Sequence, residues 1–279
     1  MLAAERRLAV LGSPIAHSKS PALHAAAYRV LGLSWSYEAV EVADGGLGAF
    51  LAGLDETWRG LSLTMPLKRE VLPLLEGRSS LVDEVGAANT VLIDGGDLRG
   101  FNTDVAGIIA AFADHGVTEL ESVQLLGAGA TAASVLAAAS RMGATRALVS
   151  ARDPERASHL KPLADSLDID LTVRRLGVSD RSMIVPSAII STLPGGTPLD
   201  VVFAQPIRHG AVLLDVAYDP WPSALAASWL DAGGTVVSGL EMLLHQAIAQ
   251  VRIFVTGEDG GALDREDEVV AAMRSAVGL

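Results

Sequence analysis

Cysteine is absent from this sequence of 279 residues. The chain therefore has no disulfide bond, no thiolate metal ligand and no cysteine nucleophile. Long apolar runs are missing too: no stretch of about eighteen apolar residues occurs, so no transmembrane helix is predicted. Residues Met1 to Leu11 lack the layout of a signal peptide. We expect a cytoplasmic protein with no membrane partner. The histidines are scattered, and no metal site is predicted.

Positive charge is scarce, since 21 Lys and Arg residues face 33 Asp and Glu residues, for a formal net charge of -12. Nucleic-acid binding needs a basic face, so no nucleic-acid partner is expected. An anionic ligand must be held by local dipoles and a few cations, against the overall field. Half of the residues are apolar, and the length suits one large domain or two ordinary ones.

A glycine-rich turn stands near the middle of the chain. The apolar run Val123 to Leu126 predicts a buried strand, and the alanine-rich segment Ala130 to Met142 predicts a helix. Between them, Gly127 permits a tight turn and Gly129 lets a pyrophosphate approach the backbone. The free N–H groups of the helix N-terminus bind such an anion. The pattern predicts a dinucleotide-binding turn, although such glycines can also serve a tight connection alone.

The sequence after this turn alternates between strand and helix patterns, which predicts a parallel, doubly wound sheet. The predicted strands are Val123–Leu126, Arg146–Ser150, Asp170–Val173, Ala188–Thr192, Ala211–Asp215 and Thr235–Val237. Arg152, Asp153 and Arg156 follow the second of these strands, at the place where such folds bind the adenosine ribose.

Two serines follow the first predicted strand, Arg7 to Leu11. Ser20 before Pro21 predicts a helix start with Ser20 as the N-cap, and the helix should run to about Leu31. Ser18 and Ser20 could instead bind a small carboxylate at this positive helix end. His17 and His24 are expected to be structural.

Three polar residues, Lys68, Asn89 and Asp104, stand at the ends of successive predicted elements. Taken singly, they read as a solvated lysine, a turn residue and a helix N-cap. Taken together, and close to a cofactor fold, they predict a catalytic cluster.

Motifs along nearly the whole chain resemble the shikimate dehydrogenase family, in the family's order. They are Ser13–Pro21, Thr64–Lys68, Gly86–Thr90, Asn102–Asp104, Gly127–Gly129, Ser191–Pro194, Asp215–Pro220 and Gly239–Gln246. The resemblance implies an α/β protein of two domains. One is an N-terminal α/β substrate domain, residues 1–104, completed by C-terminal helices in 240–279. The other is a Rossmann-type cofactor domain with a doubly wound parallel sheet, residues 105–239.

The same resemblance implies an NADP-dependent enzyme that interconverts shikimate and 3-dehydroshikimate. It implies that Ser18 and Ser20 bind the carboxylate of the substrate. The residues implied at the ring and its hydroxyls are Thr64, Lys68, Asn89, Asp104, Tyr218 and Gln246. The residues implied at the cofactor are Gly127, Ala128, Gly129, Ala130, Thr131, Arg152, Asp153, Arg156, Thr192, Leu193, Val216 and Gly239.

Alcohol oxidation needs a group that takes the hydroxyl proton. Among the matched residues, Lys68 is the one that can both donate and accept a proton near neutral pH, with Asp104 as its orienter. Whether Lys68 acts as the base or mainly as an electrostatic clamp stays open.

Some positions depart from the family pattern. Ser62 replaces a common asparagine, which puts one substrate hydrogen bond in doubt, and Ala130 replaces a glycine. Asp153 beside Arg152 leaves NAD possible, but the retained arginine favours NADP. The alternatives are an NAD-dependent quinate/shikimate dehydrogenase and a non-catalytic dinucleotide-binding sensor. A monomer or a homodimer is expected.

Overall fold

A computed structural model describes residues 5–177, 179–180, 185–199 and 201–279. The prediction that Met1 to Leu11 is not a signal peptide concerns some residues outside these ranges, namely residues 1–4. The chain divides into two compact units. The first contains the residues up to Gly107 together with Leu243–Leu279, and the second is Ile108–Met242.

The first unit is built on a mixed sheet of six strands, in the order β2-β1-β3-β5-β6-β4. Its strands are β1 (Arg6–Gly12), β2 (Trp35–Glu41), β3 (Trp58–Leu63), β4 (Gly77–Arg78), β5 (Thr90–Asp94) and β6 (Asp97–Phe101). Strand β1 pairs in parallel with β2 and β3, whereas β5 is antiparallel to β3 and β6.

Five helices belong to this unit or begin in it, and two more come from the C-terminal part of the chain. They are α1 (Ser20–Val30), α2 (Leu47–Ala52), α3 (Leu67–Glu70), α4 (Ser80–Val85), α5 (Asp104–Asp114), α10 (Gly239–Thr256) and α11 (Glu266–Val277). A 3₁₀ turn covers Leu72–Leu74.

Alternate residues of the central strands pack on opposite faces of this sheet, as the period of a strand requires. Leu8 and Leu92 join a core with α1, α10 and α11. Ala9, Leu11 and Val91 join the core on the other side, which α3 and α4 also line. Strand β1 is thus buried on both faces, which explains its continuous apolar sequence.

One local prediction for this unit is wrong. Ser20 is not the N-cap of α1: Lys19 holds that position, and no side chain caps the helix. The hydroxyl oxygen of Ser18 instead accepts a hydrogen bond from the N–H of Ser20, at 3.3 Å.

The second unit has a six-stranded sheet in the order β14-β13-β11-β7-β8-β9, parallel throughout. Its strands are β7 (Ser122–Leu126), β8 (Arg146–Ala151), β9 (Asp170–Arg175), β11 (Ala188–Ser191), β13 (Val212–Asp215) and β14 (Val236–Ser238), and a small parallel pair joins β10 (Ser179–Asp180) to β12 (Val202–Phe203). Its helices are α6 (Ala130–Arg141), α7 (Lys161–Ser166), α8 (Gln205–Gly210) and α9 (Ala224–Asp231), with a 3₁₀ helix at Pro154–Leu160.

This strand order reverses between β7 and β11, which is the arrangement of dinucleotide-binding folds. The predicted two-domain α/β architecture and the doubly wound parallel sheet are confirmed. Across the described residues, no helix has both the length and the hydropathy needed to cross a bilayer.

Candidate functional site

A buried ion pair joins two elements of the first unit. Lys68 lies in the first turn of α3, directly after β3, and Asp104 is the first residue of α5, directly after β6. Lys68 Nζ lies 2.5 Å from Asp104 Oδ2, and the two side chains are only 11% and 5% exposed. A charge-assisted hydrogen bond in such a sheltered place is strong and directional.

The side-chain amide of Asn89 is hydrogen-bonded to the other carboxylate oxygen of Asp104. Asn89 Nδ2 donates to Asp104 Oδ1 at 2.8 Å, while Asn89 Oδ1 accepts from the backbone N–H of Thr103, also at 2.8 Å. Because a backbone N–H can only donate, it fixes which end of the amide faces Asp104. Lys68, Asn89 and Asp104, predicted to form a cluster, are therefore brought together.

The backbone around this cluster is cross-linked by hydrogen bonds. The Ala88 N–H donates to the carbonyl of Lys68 at 2.9 Å, and the Leu63 N–H donates to that of Asn89 at 2.8 Å. Asn102 Oδ1 accepts from the N–H groups of Asp104 and Val105, at 3.1 and 3.3 Å. The first turn of α5 is thus capped by Asn102 and not by Asp104, which leaves the Asp104 carboxylate for the site.

Gln246 reaches the same cluster from α10, far away in sequence. Its Oε1 accepts from Asn89 Nδ2 at 3.2 Å, and its Nε2 donates to the carbonyl of Leu243 at 2.8 Å. Thr103, which sequence reasoning did not single out, also contacts Asn89, whose Nδ2 lies 2.9 Å from Thr103 Oγ1. The signal for Thr103 was its place inside the motif Asn102–Asp104.

Three further predicted substrate residues lie near the carboxyl ends of β1 and β3. Ser18 is half-buried in the loop after β1, and Ser20 is buried as the first residue of α1. Thr64 follows β3, and its N–H donates to the carbonyl of Leu11 at 2.9 Å. The loop after β1 and the turn that leads to Lys68 therefore leave adjacent strands. Tyr218 belongs to the second unit, where it is half-buried in the loop after β13.

Ser62 has its hydroxyl turned into the protein. It accepts from the phenol of Tyr37 at 2.6 Å and donates to Gln250 Oε1 at 2.8 Å, and it is 3% exposed. Both hydrogen-bonding roles of the hydroxyl are thereby used. Where the family pattern has a substrate-binding asparagine, this chain has a serine that serves an internal network.

His24 is buried in that network and is structural in character. Burial lowers the pKa of its imidazole to about 3, so the ring is neutral at physiological pH. It stacks on Tyr37, with ring centroids 3.9 Å apart and planes 8° apart. Within the described residues, no group of histidines and carboxylates could hold a metal ion.

The glycine turn of the second unit has the backbone that an anion needs. Gly127 has φ +107°, and a Cβ there would lie 2.6 Å from Thr192 Oγ1. Gly129 has open space around the same position and precedes α6, whose first turn receives no side-chain cap. The helix N-terminus, with Ala130 and Thr131 in its first turn, therefore follows Ala128 and Gly129 directly, and a helix N-terminus in this position favours an anion.

The charged residues after β8 lie on the surface. Arg152, Asp153 and Arg156 are all exposed. Asp153 Oδ1 accepts from the Glu155 N–H at 3.2 Å and so caps the 3₁₀ helix that follows. The aspartate therefore has a local structural role, which by itself does not exclude a contact with a ribose hydroxyl, because a carboxylate can accept several hydrogen bonds.

The remaining predicted cofactor residues follow β11, β13 and β14. Thr192 Oγ1 donates to the carbonyl of Leu126 at 3.1 Å, and Leu193 Cδ2 would lie 3.3 Å from a Cβ at Gly127. A Cβ at Gly239 would lie 2.2 Å from the carbonyl oxygen of Val216. These residues surround the carboxyl ends of the central strands, where ligands bind in open α/β sheets.

Comparison with known proteins places these features in one family. The family model for the substrate-binding domain of shikimate dehydrogenase matches residues 10–91. Shikimate dehydrogenase (NADP(+)) of Methanothermobacter thermautotrophicus is 32% identical over 257 residues, which is 90% of each chain.

Solved structures match over almost the whole chain. Shikimate dehydrogenase of Mycobacterium tuberculosis has a TM-score of 0.82 and 34% identity, with 97% of this chain and 99% of that chain covered. Shikimate 5-dehydrogenase of Thermus thermophilus, solved with NADP(H) and shikimate, has a TM-score of 0.79 and 29% identity, with 97% of this chain and 99% of that chain covered. Quinate dehydrogenase of Corynebacterium glutamicum, solved with NAD, has a TM-score of 0.83 and 26% identity, with 99% of this chain and 100% of that chain covered.

Proposed function

The chain belongs to the shikimate dehydrogenase family, and from that premise we propose that it interconverts shikimate and 3-dehydroshikimate with NADP as redox partner. The observation that carries the proposal is the buried pair of Lys68 and Asp104, with Asn89 on the second carboxylate oxygen. A lysine held this way is sheltered from water and aimed, which a surface lysine is not.

The proton chemistry falls to the residues of the first unit. Oxidation of a secondary alcohol removes a hydride from the carbon and a proton from the hydroxyl, and the proton needs a positioned acceptor. Lys68 Nζ is proposed to accept that proton, and its ammonium form returns it to the ketone in the reverse reaction. Asp104 holds Nζ in place and offers a carboxylate to a neighbouring substrate hydroxyl.

Substrate binding is assigned to polar groups around this pair. Asn89, which is hydrogen-bonded to both Asp104 and Gln246, is proposed to bind ring hydroxyls, as are Gln246 and Thr64. Tyr218 of the second unit is proposed as a further substrate residue. Ser18 and Ser20 are proposed to bind the carboxylate. Ser18 directly precedes Lys19, the N-cap of α1, and Ser20 is the first residue of that helix, so both hydroxyls lie at its positive end, where an anion is favoured.

The second unit has two features that suit a dinucleotide: the glycine turn before α6 and the exposed arginines after β8. Gly127, Ala128, Gly129, Ala130 and Thr131 are proposed to bind its phosphates, and Thr192, Leu193, Val216 and Gly239 are proposed to line its other end. When bound, the nicotinamide accepts the hydride. The protein residues contribute binding and orientation.

The choice of NADP over NAD rests on two arginines and one aspartate. Arg152 and Arg156 are exposed and can pair with a 2′-phosphate. Asp153, the residue that could bind a free ribose hydroxyl, accepts the N–H of Glu155 with Oδ1. The domain borders at residues 104 and 239, the cytoplasmic location and the monomeric or dimeric state stay predictions.

The test is a steady-state assay of the purified protein with shikimate and quinate, each paired with NADP and NAD. Activity mainly with shikimate and NADP is the expected result. Preference for quinate or NAD would instead support the quinate/shikimate dehydrogenase alternative. No activity in any of the four pairings, from a protein that still binds nicotinamide nucleotides, would overturn the enzymatic proposal in favour of a sensor.

A further inference from the structure

Gln250 lies on α10 one turn after Gln246, at the centre of a buried hydrogen-bond network. Its Oε1 accepts from Ser62 Oγ at 2.8 Å and from His24 Nε2 at 3.2 Å. Its Nε2 donates to Thr90 Oγ1 at 3.1 Å and to the backbone carbonyl of Asn89 at 3.3 Å. Its side chain is only 1% exposed, and its four contacts match the full capacity of an amide.

The direction of each of these bonds is determined by chemistry. The Asn89 carbonyl can only accept, so the NH₂ end of Gln250 faces it. Gln250 Oε1 then accepts from His24, so His24 Nε2 carries the proton and Nδ1 accepts from the phenol of Tyr28, at 3.1 Å. One orientation of the Gln250 amide satisfies all of its partners.

The partners of Gln250 lie on three elements of the first unit. His24 is on α1, Ser62 is on β3, and Thr90 begins β5. Contacts with three elements fix the rotation of α10 about its own axis. Residues four apart share one face of a helix, so the same rotation sets where Gln246 points.

We propose that Gln250 is a positioning residue, which holds Gln246 against Asn89 and so completes the substrate site. This inference rests on the proposed function. Gln250 itself is not joined to Lys68 or Asp104 by any hydrogen bond in the described part of the chain. It acts through Gln246, whose Oε1 lies 3.2 Å from Asn89 Nδ2.

A purely structural glutamine and a positioning glutamine differ in one measurable respect. Loss of a structural residue lowers stability, and its effect on substrate binding is independent of Gln246. Loss of a positioning residue raises the KM for shikimate only while Gln246 is present to be misplaced. A double-mutant cycle separates the two roles.

The cycle compares the wild type with Gln250→Leu, Gln246→Ala and the double variant, in kcat, KM for shikimate and Kd for NADPH. We expect Gln250→Leu to raise the KM about tenfold, the size of one or two lost hydrogen bonds. In the Gln246→Ala background the same change should raise it no more than about twofold. The Kd for NADPH should not change. The proposal would be overturned if the KM of the double variant rose by the product of the two factors seen in the single variants.

Gln124→Leu is the matched control, because Gln124 is a buried glutamine of β7, 2% exposed. It should cost stability without changing the KM for shikimate, and an equal rise in KM in this variant would refute a specific role for Gln250. A wild type that is inactive with shikimate would refute the proposed function instead, so the two failures are distinguishable.

If Gln250→Leu does not fold, Gln250→Glu supplies the test, because it keeps the shape of the side chain. The introduced carboxylate can accept from His24 and Ser62 but cannot donate to Thr90 or Asn89 until it is protonated. Burial raises the pKa of such a carboxyl. Relative to wild type, kcat/KM for shikimate should recover as the pH falls, and a constant ratio would contradict the proposal.

Discussion

At the scale of single residues, Asp104 shows how one carboxylate serves several roles. One oxygen contacts Lys68 Nζ and the other accepts from Asn89, while the helix that begins at Asp104 is capped by Asn102. The residue therefore neither caps its helix nor forms a simple surface ion pair. Its geometry instead determines where the lysine nitrogen lies, and this makes the lysine the first residue to test.

Lys68→Ala should lower kcat about 10²- to 10⁴-fold, the usual contribution of a general acid or base. Lys68→Arg separates the two roles that the sequence left open. Arginine keeps the positive charge but does not deprotonate, so it should be as inactive as alanine if Lys68 carries a proton. An arginine variant that is nearly as active as wild type would identify an electrostatic clamp.

The control for these variants is Lys161→Ala, because Lys161 is an exposed lysine whose ion pair with Asp165 spans 3.2 Å. It should leave kcat unchanged. Binding of NADPH, followed by fluorescence, should stay within about twofold of wild type in all three variants, since two-domain enzymes bind cofactor and substrate through separate residues.

Ser20→Ala should raise the KM for shikimate about two- to tenfold, the effect of one lost hydrogen bond, and leave kcat nearly unchanged. Because Ser20 does not cap α1, the substitution should not destabilise the helix. The melting temperature therefore serves as an internal control. A KM equal to that of wild type, at unchanged stability, would remove Ser20 from the carboxylate site.

At the scale of elements, the segment between β8 and α7 combines two exposed arginines with a 3₁₀ helix capped by Asp153. Arg152→Ala should weaken NADPH binding by about tenfold or more, the contribution of a charge-assisted contact with phosphate, and should barely change NADH binding. Dissociation constants for both nucleotides test this directly.

Asp153→Asn is the companion variant, because asparagine can still cap the 3₁₀ helix. It should leave the preference for NADPH intact or strengthen it. Equal losses for the two nucleotides in Arg152→Ala would show that this arginine does not bind the 2′-phosphate.

The sequence predicted the elements of the second unit better than those of the first. Its parallel strands have continuous apolar runs between glycine-marked turns, and β7, β8, β9, β11, β13 and β14 all lie within about two residues of their predicted positions. The hairpin of β5 and β6 was not predicted as a pair, although Gly95 and Gly96 both have positive φ and form its two-residue turn. Short elements such as β4 and α4 have too few residues to show a period.

The residues of the site were predictable from motifs, but their partners were not. Lys68, Asn89 and Asp104 stand at element ends, where sequence patterns point to function. Gln250 follows the last matched motif and looks like an ordinary helix residue, since nothing local shows that His24 lies across from it. Contacts between residues more than two hundred positions apart are set by the tertiary fold, which a local pattern does not encode.

At the scale of the whole molecule, the net charge of -12 opposes every anionic ligand that the family binds. The structure meets this with the N-terminus of α6, which directly follows the glycine turn, and with the arginines after β8. These contacts act at hydrogen-bond distance, whereas charges farther away than about 10 Å are largely screened at 0.1 M salt. Local dipoles and cations therefore prevail over the overall field under ordinary conditions.

The buried His24 links the network around Gln250 to the stability of the folded chain. Its pKa is about 3 in the folded protein and 6.5 as a free side chain. Between those values the unfolded chain binds a proton that the folded one does not, so stability is complete above pH 6.5 and falls as the pH drops below it. The loss due to this residue should reach about 2 kcal/mol at pH 5.

Replacement of this ring should remove that part of the pH dependence. His24→Asn should be less stable than wild type at pH 8 but should lose less stability between pH 7 and pH 5. Hydrogen exchange of the β1 amides, corrected for intrinsic rates, reports the first unit without the unfolding of the second. His17→Asn, at a ring that is exposed in the folded protein and lies in the same unit, is the control. Equal slopes for His24→Asn and wild type would mean that His24 can take up a proton in the folded state, and Nδ1 would then donate to the phenol of Tyr28 and not accept from it.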